Sequence, residues 1–216
     1  MTEPPVTRLI GLSGIAIGVL GLVIVPLYFV YEDAPPGWNV LTRVLLNLLA
    51  AVLLLVFLAA LRQLIRRARP EYEWPAGLMF GAGVAYTTAT LVAGSLEAGI
   101  VFDAGGGAVD PTVHGVLAHA NVLLHGSASR LLTALLLTAA GYAVLRSRVL
   151  PRWVAVSAFV TAAINLAFVP SLYTSIDPAQ FYSALGWGNT ALAAALLTYW
   201  AFAVGISALR IPRPRT

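Results

Sequence analysis

Long runs of apolar residues alternate with short polar segments along the whole chain. A helix needs about 20 apolar residues to cross a hydrocarbon core of about 30 Å. Six runs meet this length, and they predict spans at about 8–30, 40–61, 76–101, 127–145, 152–170 and 182–209. The predicted fold class is therefore all-α, a polytopic membrane helix bundle of six transmembrane helices that makes one transmembrane domain over residues 1–216.

The connection between the third and fourth spans has a helical periodicity of its own. Asp110-Pro111-Thr112 is typical of a helix N-terminus. From 112 to 125, apolar residues share one face, while another face carries His114, Asn121 and His125. The pattern predicts a short amphipathic external helix, which either lies on the outer leaflet or dips into the mouth of the bundle.

Charge is scarce and asymmetric. Charged residues make up 10% of the chain, against about 25% in a soluble domain. All 13 basic residues are arginine, and eleven of them fall at alternate span ends: Arg8, Arg62, Arg66, Arg67, Arg69, Arg146, Arg148, Arg152, Arg210, Arg213 and Arg215. The opposite side collects acids, namely Glu32, Asp33, Asp103, Asp110 and Asp177. The positive-inside rule then predicts a multi-pass plasma-membrane protein with both termini cytoplasmic.

Several function classes are excluded or disfavoured. The chain has no cysteine, so it has no thiol redox chemistry and no thiolate metal site. It has no lysine for a retinal Schiff base and no glycine-rich phosphate loop. The histidines are five and six residues apart, a spacing that does not stack metal ligands on one helical face. We therefore predict no metal, no cofactor and no nucleic acid, with membrane lipids and a hydrophobic small molecule as the expected partners.

Glu97 stands out because it is the only carboxylate inside a long apolar run. Tyr86 and Thr90 fall within about 40° of it on a helix and form a polar stripe. An ionisable residue at membrane depth is expensive, and its default interpretation is functional.

Other spans carry polar groups at the same depth. At 1.5 Å per residue, these groups lie roughly 5–12 Å from the outer ends of their spans: Arg43, Asn47, Glu97, Arg130, Asn165 and Asn189. The inner halves are nearly pure Leu, Ala and Val. Since isolated polar groups in lipid tend to pair with each other, the pattern predicts a polar pocket open to the outside.

The chemistry of such a pocket depends on the surroundings of Glu97. A desolvated acid can donate or accept a proton, whereas beside Arg43 or Arg130 it would stay ionised. An ion pair that only fixes helix registry is the alternative. We take Glu97, His125 and Asp103 as candidate catalytic residues. The candidate substrate-binding residues are Arg43, Asn47, Tyr86, Thr90, Arg130, Asn165, Tyr182, Trp187 and Asn189.

Four motifs resemble those of an uncharacterised group of actinobacterial six-span integral membrane proteins. They are Pro-Pro-x-Trp-Asn at 35–39, Ser-Leu-Glu-Ala-Gly at 95–99, His-Gly-Ser-x-x-Arg-Leu-Leu at 125–132 and Asn-Leu-Ala-Phe-Val-Pro-Ser-Leu at 165–172. The resemblance covers nearly the whole chain and implies the six-span fold and a bacterial plasma membrane but no activity. In size and helix content the chain is also loosely similar to membrane-embedded terpene cyclases, which use buried acids.

Three functional hypotheses follow. The first is an enzyme that does acid–base chemistry on an isoprenoid or lipid-like substrate entering laterally, a cyclase or isomerase, with Glu97 as acid or base and Arg43 and Arg130 as anion clamps or charge partners. The second is a small transporter. The third is a non-catalytic accessory or sensor protein.

Overall fold

Seven α-helices form in the part of the chain that the structure describes. A computed structural model describes residues 6–31, 33–177 and 179–210, and these residues form helices and turns without a β-strand. The helices are α1 (Val6–Leu27), α2 (Gly37–Ala68), α3 (Glu73–Asp103), α4 (Ala118–Leu123), α5 (Ser129–Ser147), α6 (Arg152–Phe168) and α7 (Ala193–Leu209). Glu32, Arg213 and Arg215, which contribute to the predicted charge asymmetry, lie outside the described residues.

Six helical stretches are long and apolar enough to span a membrane. They are Val6–Leu27, Gly37–Ala68, Pro70–Asp103, Ala118–Ser147, Arg152–Tyr173 and Gly188–Leu209. The prediction of an all-α fold with six membrane-length helices is therefore confirmed. Prolines mark several of the boundaries, since Pro36 and Pro151 immediately precede α2 and α6, where a residue without an N–H interrupts no helical hydrogen bond.

The long helices form a ring. α1 packs between α7 and α2, α3 packs between α2 and α5, and α6 packs against α5 and more lightly against α7. The chain alternates direction, so the arginine clusters of the turns meet, and Arg69, Arg146, Arg148 and Arg152 line one groove. We call this the arginine-rich end, and we call the end that holds Leu27, Gly37 and Asp103 the arginine-poor end.

The contact between α1 and α7 depends on two glycines. A Cβ on Gly14 would lie 2.5 Å from the Ala201 carbonyl oxygen and 2.9 Å from the Gly205 Cα. Side chains at either glycine would push the helices apart, so small residues permit this backbone approach.

A dry apolar core fills the bundle towards the arginine-rich end. Phe57 stacks edge-on to Trp200 with ring centroids 6.0 Å apart, and Leu58, Leu61 and Leu137 are fully buried around them. The buried charged side chains of the spans, Arg43, Glu97 and Arg130, lie in the other half of the molecule.

The segment predicted as an amphipathic external helix over 112–125 differs from that prediction. Residues 110–117 form turns, and only the six-residue α4 is helical before a π-turn, Leu124–Ala128, leads into α5. Val116 is fully exposed while Asn121 is 1% exposed. Of the predicted polar face, Asn121 and His125 contact polar partners in the bundle, whereas His114 is exposed.

The last span also begins later than its apolar run suggests. Residues 179–186 form turns and bends, and the helical stretch starts with a π-turn at Gly188–Leu192. Tyr182, taken as the first residue of the predicted span, therefore lies in the connection before it.

Candidate active site at the arginine-poor end

A cavity of about 90 Å³ lies among α1, α2, α3, α5 and the beginning of α7. This volume matches about three water molecules at about 30 Å³ each. Its polar lining consists of Tyr28, Asn47, Tyr86, Thr90, His125, Ser129, Arg130, Thr190 and Thr198. A smaller cavity of about 40 Å³ shares Asn47, Tyr86, Thr90 and Thr198 and continues towards the apolar side chains of Ile17, Leu54 and Leu197. The site is thus polar on one side and apolar on the other.

A kink between α4 and α5 brings His125 and Arg130 to this cavity. Gly126 has non-helical torsion angles, φ −84° and ψ −114°, inside the π-turn. A Cβ there would lie 3.1 Å from Asn189 Nδ2, so the close approach favours glycine. The kink frees the His125 carbonyl oxygen, which accepts a hydrogen bond from Arg130 Nη2 at 3.2 Å. π-turns of this kind are frequent at functional sites.

Glu97, Asn121 and His125 form a connected polar group. Asn121 Nδ2 donates to Glu97 Oε1 at 3.4 Å, and His125 Nδ1 lies 2.9 Å from Asn121 Oδ1. His125 Nδ1 is also 3.6 Å from Glu97 Oε1. Glu97 is 5% exposed. The buried acid therefore joins the short α4 and the kink, and among the described residues it forms no ion pair with an arginine.

These contacts determine which ring nitrogen of His125 carries the proton. A carboxylate only accepts hydrogen bonds, so the Asn121 amide turns its NH₂ group to Glu97 and its oxygen to His125. An oxygen acceptor requires a proton on Nδ1, which leaves the lone pair of the neutral imidazole on Nε2. His125 lines the cavity, and within the described part of the chain its Nε2 has no hydrogen-bond partner. In the neutral ring, Nε2 is thus the nitrogen that can accept a proton.

Arg130 is the second charged group on the cavity. It is 1% exposed, and its Nη1 donates to Asn165 Oδ1 at 3.0 Å. Asn165 in turn donates to the Thr161 carbonyl oxygen at 2.9 Å. The Nε of Arg130 is buried and has no partner among the described residues. Helix α6 therefore holds the guanidinium in place through a neutral amide.

Arg43 occupies the same layer but does not line the cavity. It is 6% exposed, and its guanidinium lies over the Tyr28 ring, 4.1 Å from the centroid. A cation stacked on an aromatic face is stabilised by the ring quadrupole, so Arg43 ties the beginning of α2 to the end of α1.

The remaining predicted site residues lie away from the cavity. Asp103 is exposed at the end of α3. The Tyr182 hydroxyl donates to the Ala167 carbonyl oxygen, and Trp187 packs on Phe181 with ring centroids 4.5 Å apart. Asn189 Nδ2 donates to the Ala184 carbonyl oxygen at 3.0 Å, and its Oδ1 has no partner among the described residues.

The structure therefore brings together part of the predicted set. Asn47, Tyr86, Thr90, His125 and Arg130 line the cavity. Glu97 reaches it through His125, and Asn165 through Arg130.

Five further residues belong to the site although sequence reasoning did not select them. Asn121 connects Glu97 to His125, and Tyr28, Ser129, Thr190 and Thr198 line the cavity. Asn121 could have been found, since it shares a helical face with His125. Tyr28 gave no separate signal because an aromatic residue at a span end is typical of the membrane interface.

The site offers no metal-binding group. Within the part of the chain that the structure describes, no three His, Asp or Glu side chains are arranged to hold an ion. His119 is exposed, and His114 lies close to the Asp110 carbonyl oxygen. The chemistry available is therefore that of an imidazole, a carboxylate and two guanidinium groups.

Six helices of membrane-spanning length and composition define the class of an all-α, multi-pass membrane protein. No family model, curated protein or solved structure matches the chain.

Proposed function

We propose that the protein is a membrane-embedded enzyme that transfers protons to and from a carbon of an amphiphilic, lipid-like substrate, as an isomerase or cyclase does. The observation that carries the proposal is the geometry of His125. Its Nδ1 is held by Asn121 and Glu97, its Nε2 has no hydrogen-bond partner among the described residues, and the residue lines the cavity. A proton taken from one carbon and returned to another leaves the enzyme unchanged, so the reaction needs no co-reactant.

Glu97 and Asn121 act as positioning residues in this scheme. When Nε2 takes up a proton, the ring becomes an imidazolium whose Nδ1 lies 3.6 Å from the Glu97 carboxylate. In a site of low dielectric constant this charge is preorganised to stabilise the protonated ring. The acid lowers the cost of proton transfer without touching the substrate.

The cavity also restricts the substrate class. Its polar side carries Arg130 and His125, and its extension ends on Ile17, Leu54 and Leu197. Volumes of about 90 and 40 Å³ are well below the roughly 300 Å³ of a site that encloses a drug-sized ligand. The site is therefore suited to the polar end and the first carbons of a chain, with the rest of the substrate in the bilayer. This favours isomerisation near a head group over cyclisation of a whole isoprenoid.

Orientation follows from the distribution of arginine. With the arginine-rich end in the cytoplasm, both termini are cytoplasmic and the site lies in the outer half of the plasma membrane. A lipid-like substrate would reach it from the outer leaflet.

Transport has less support. The cavity narrows towards Leu54, and the buried side chains of Phe57, Leu58 and Leu137 fill the bundle beyond it. A polar solute would meet a dry core rather than a second polar site.

Comparison of membrane lipids tests the proposal. Wild type and His125→Ala are expressed in a bacterial host, and the membranes are incubated with total lipid extracts and analysed by untargeted mass spectrometry. We expect a product that forms with wild type and forms about 100-fold or more slowly with the variant, because general acid–base groups contribute about 10²–10⁴-fold.

His119→Ala is the matched control, since His119 is exposed on α4 beside the site. It should leave the product unchanged. Lipid profiles that are identical with and without the protein, or a product that persists in His125→Ala, would refute the proposed function.

A further inference from the structure

The buried layer around the cavity holds more positive than negative charge. Arg43, Glu97 and Arg130 are each at most 6% exposed. The charge of Glu97 is directed to His125 rather than to either guanidinium. Among the described residues, two buried cations therefore face one buried carboxylate, and protonation of His125 would increase the excess.

Neither guanidinium has a buried anion as its partner among the described residues: Arg43 lies over the Tyr28 ring with its Nε also unpartnered, and of the two only Arg130 lines the cavity. The two contacts of Arg130 are neutral, the Asn165 side-chain oxygen and the His125 carbonyl oxygen. Its Nε has no partner within the described residues. A buried charge normally has both an opposite charge and a full set of hydrogen bonds, because desolvation costs several kcal/mol. Arg130 has neither.

The cavity beside Arg130 has the features of an oxyanion site. No Asp or Glu is among the described residues that line it. Besides Arg130, the hydroxyls of Tyr86 and Thr198 point to unused donor capacity, since neither has a hydrogen-bond acceptor among the described residues. A volume of about 90 Å³, close to three water molecules at about 30 Å³ each, suits a phosphate or carboxylate group.

We propose that the cavity binds the phosphate or carboxylate head group of an amphiphile, with Arg130 as its counter-ion, the first carbons of the chain against the apolar extension at Leu54 and Leu197, and the rest of the chain in the bilayer. This inference rests on the proposed function only in placing the ligand at the same cavity. A guanidinium is suited to such groups because its planar donors match two oxygens of a carboxylate or phosphate.

Binding of simple probes to the purified protein tests the inference without turnover. Decyl phosphate, decanoate, decanol and inorganic phosphate are titrated by calorimetry into wild type reconstituted in nanodiscs of a neutral lipid. We expect decyl phosphate or decanoate to bind at least 10-fold more tightly than decanol, and more tightly than inorganic phosphate. Equal affinity for decyl phosphate, decanoate and decanol would overturn the inference. Tighter binding of inorganic phosphate than of decyl phosphate would show that the ligand is a soluble anion, and the assignment of an amphiphile would be wrong.

Two variants locate the binding. Arg130→Gln should weaken binding of the charged amphiphiles by roughly 30-fold or more, the effect of losing about 2 kcal/mol or more from a buried charge pair. Arg62→Gln is the control, since Arg62 pairs with Glu73 at the arginine-rich end, and it should bind like wild type. Unchanged binding to Arg130→Gln would contradict the assignment. If Arg130→Gln does not fold, the comparison of decyl phosphate with decanol on wild type decides alone.

The outcomes separate this inference from the proposed function. If charged amphiphiles bind but no product forms in the lipid experiment, the cavity is an anion-binding site and the proposed enzyme activity is wrong. If a product forms but charged amphiphiles bind no more tightly than decanol, the proposed enzyme activity stands and the proposed anionic head group is wrong.

Discussion

His125 acquires its chemistry from two neighbours that the chain supplies from different elements. Asn121 comes from α4 and Glu97 from α3, and together they hold Nδ1 in its protonated form. An isolated histidine has no fixed tautomer, so the arrangement converts a common side chain into a base with a defined free nitrogen. The proposed role of His125 therefore depends on the side-chain amide of Asn121, whose NH₂ group contacts Glu97 and whose oxygen contacts His125.

Glu97→Gln tests whether Glu97 supports the proposed chemistry of His125 through its charge or only holds α3 against α4. The glutamine oxygen can still accept from Asn121, so the hydrogen bond that joins α3 to α4 survives while the charge is lost. We expect the rate of product formation to fall by about 10-fold or more, because the imidazolium loses its counter-charge. We expect the melting temperature to change by less than about 3 °C, roughly 1 kcal/mol for a chain of this size.

Thermal unfolding and turnover of Glu97→Gln, measured side by side with Glu97→Leu, check this prediction. Glu97→Leu removes the hydrogen bond as well and should lower both quantities. If Glu97→Gln unfolds as readily as Glu97→Leu while its turnover stays at the wild-type level, the acid is structural.

How far the sequence predicted the site can be judged from these residues. Depth along each span placed Glu97, Arg43 and Arg130 in one layer, since helical rise is fixed. Depth does not say which helices are neighbours, so it left open whether Glu97 pairs with Arg43, pairs with Arg130 or is desolvated without an arginine. The acid lies beside α4, whereas Arg43 stacks on Tyr28 and Arg130 bonds to Asn165.

Among the elements, the long helices were predictable and the interruptions were not. Run length alone identifies a helix that spans a bilayer. The π-turns at Leu124–Ala128 and Gly188–Leu192 arise where Gly126 packs against Asn189, a contact between segments far apart in sequence. Periodicity reports local repeats and carries no information on such contacts.

The orientation of α4 has a general reason. The spacing of apolar residues on a helix identifies two faces but not the medium on each side. In water the apolar face would turn inward, whereas beside lipid it turns outward and the polar face seeks the interior of the bundle. Asn121 is buried against Glu97 while Leu123 is exposed, as the second case requires.

The glycine contact between α1 and α7 gives a prediction at the scale of elements. Gly14→Ala places a Cβ 2.5 Å from a backbone oxygen of α7, which cannot move without the helix. We expect the variant to lose about 1–3 kcal/mol of stability, the usual cost of overpacking, or several degrees in melting temperature.

Gly81→Ala is the matched control for this measurement. A Cβ on Gly81 has no heavy atom within 4 Å, so the same substitution should leave the melting temperature unchanged. Equal melting temperatures for Gly14→Ala and Gly81→Ala would show that the close crossing of α1 and α7 is absent in the membrane.

At the scale of the whole molecule, one half of the bundle is an apolar core and the other half holds the polar site. The half towards the arginine-rich end is a packed core around Phe57 and Trp200. The half towards the arginine-poor end holds the buried charges, the kink and the cavity. The tightly packed apolar half supports the polar site, because side chains of a site stay within about 0.5 Å of their working positions only when the residues around them do not repack.

The proton that His125 holds between the two carbons can exchange with solvent, because the His125 side chain is 29% exposed, and detection of this exchange tests the proposed function most sharply. Purified protein in nanodiscs is incubated with bacterial lipid extract in D₂O, the lipids are returned to H₂O to remove exchangeable label, and mass spectrometry follows. We expect a lipid species that gains carbon-bound deuterium with wild type and His119→Ala but about 100-fold or more slowly with His125→Ala. Lipids that gain no carbon-bound deuterium with wild type, or label that persists with His125→Ala, would contradict the assignment of His125 as the base.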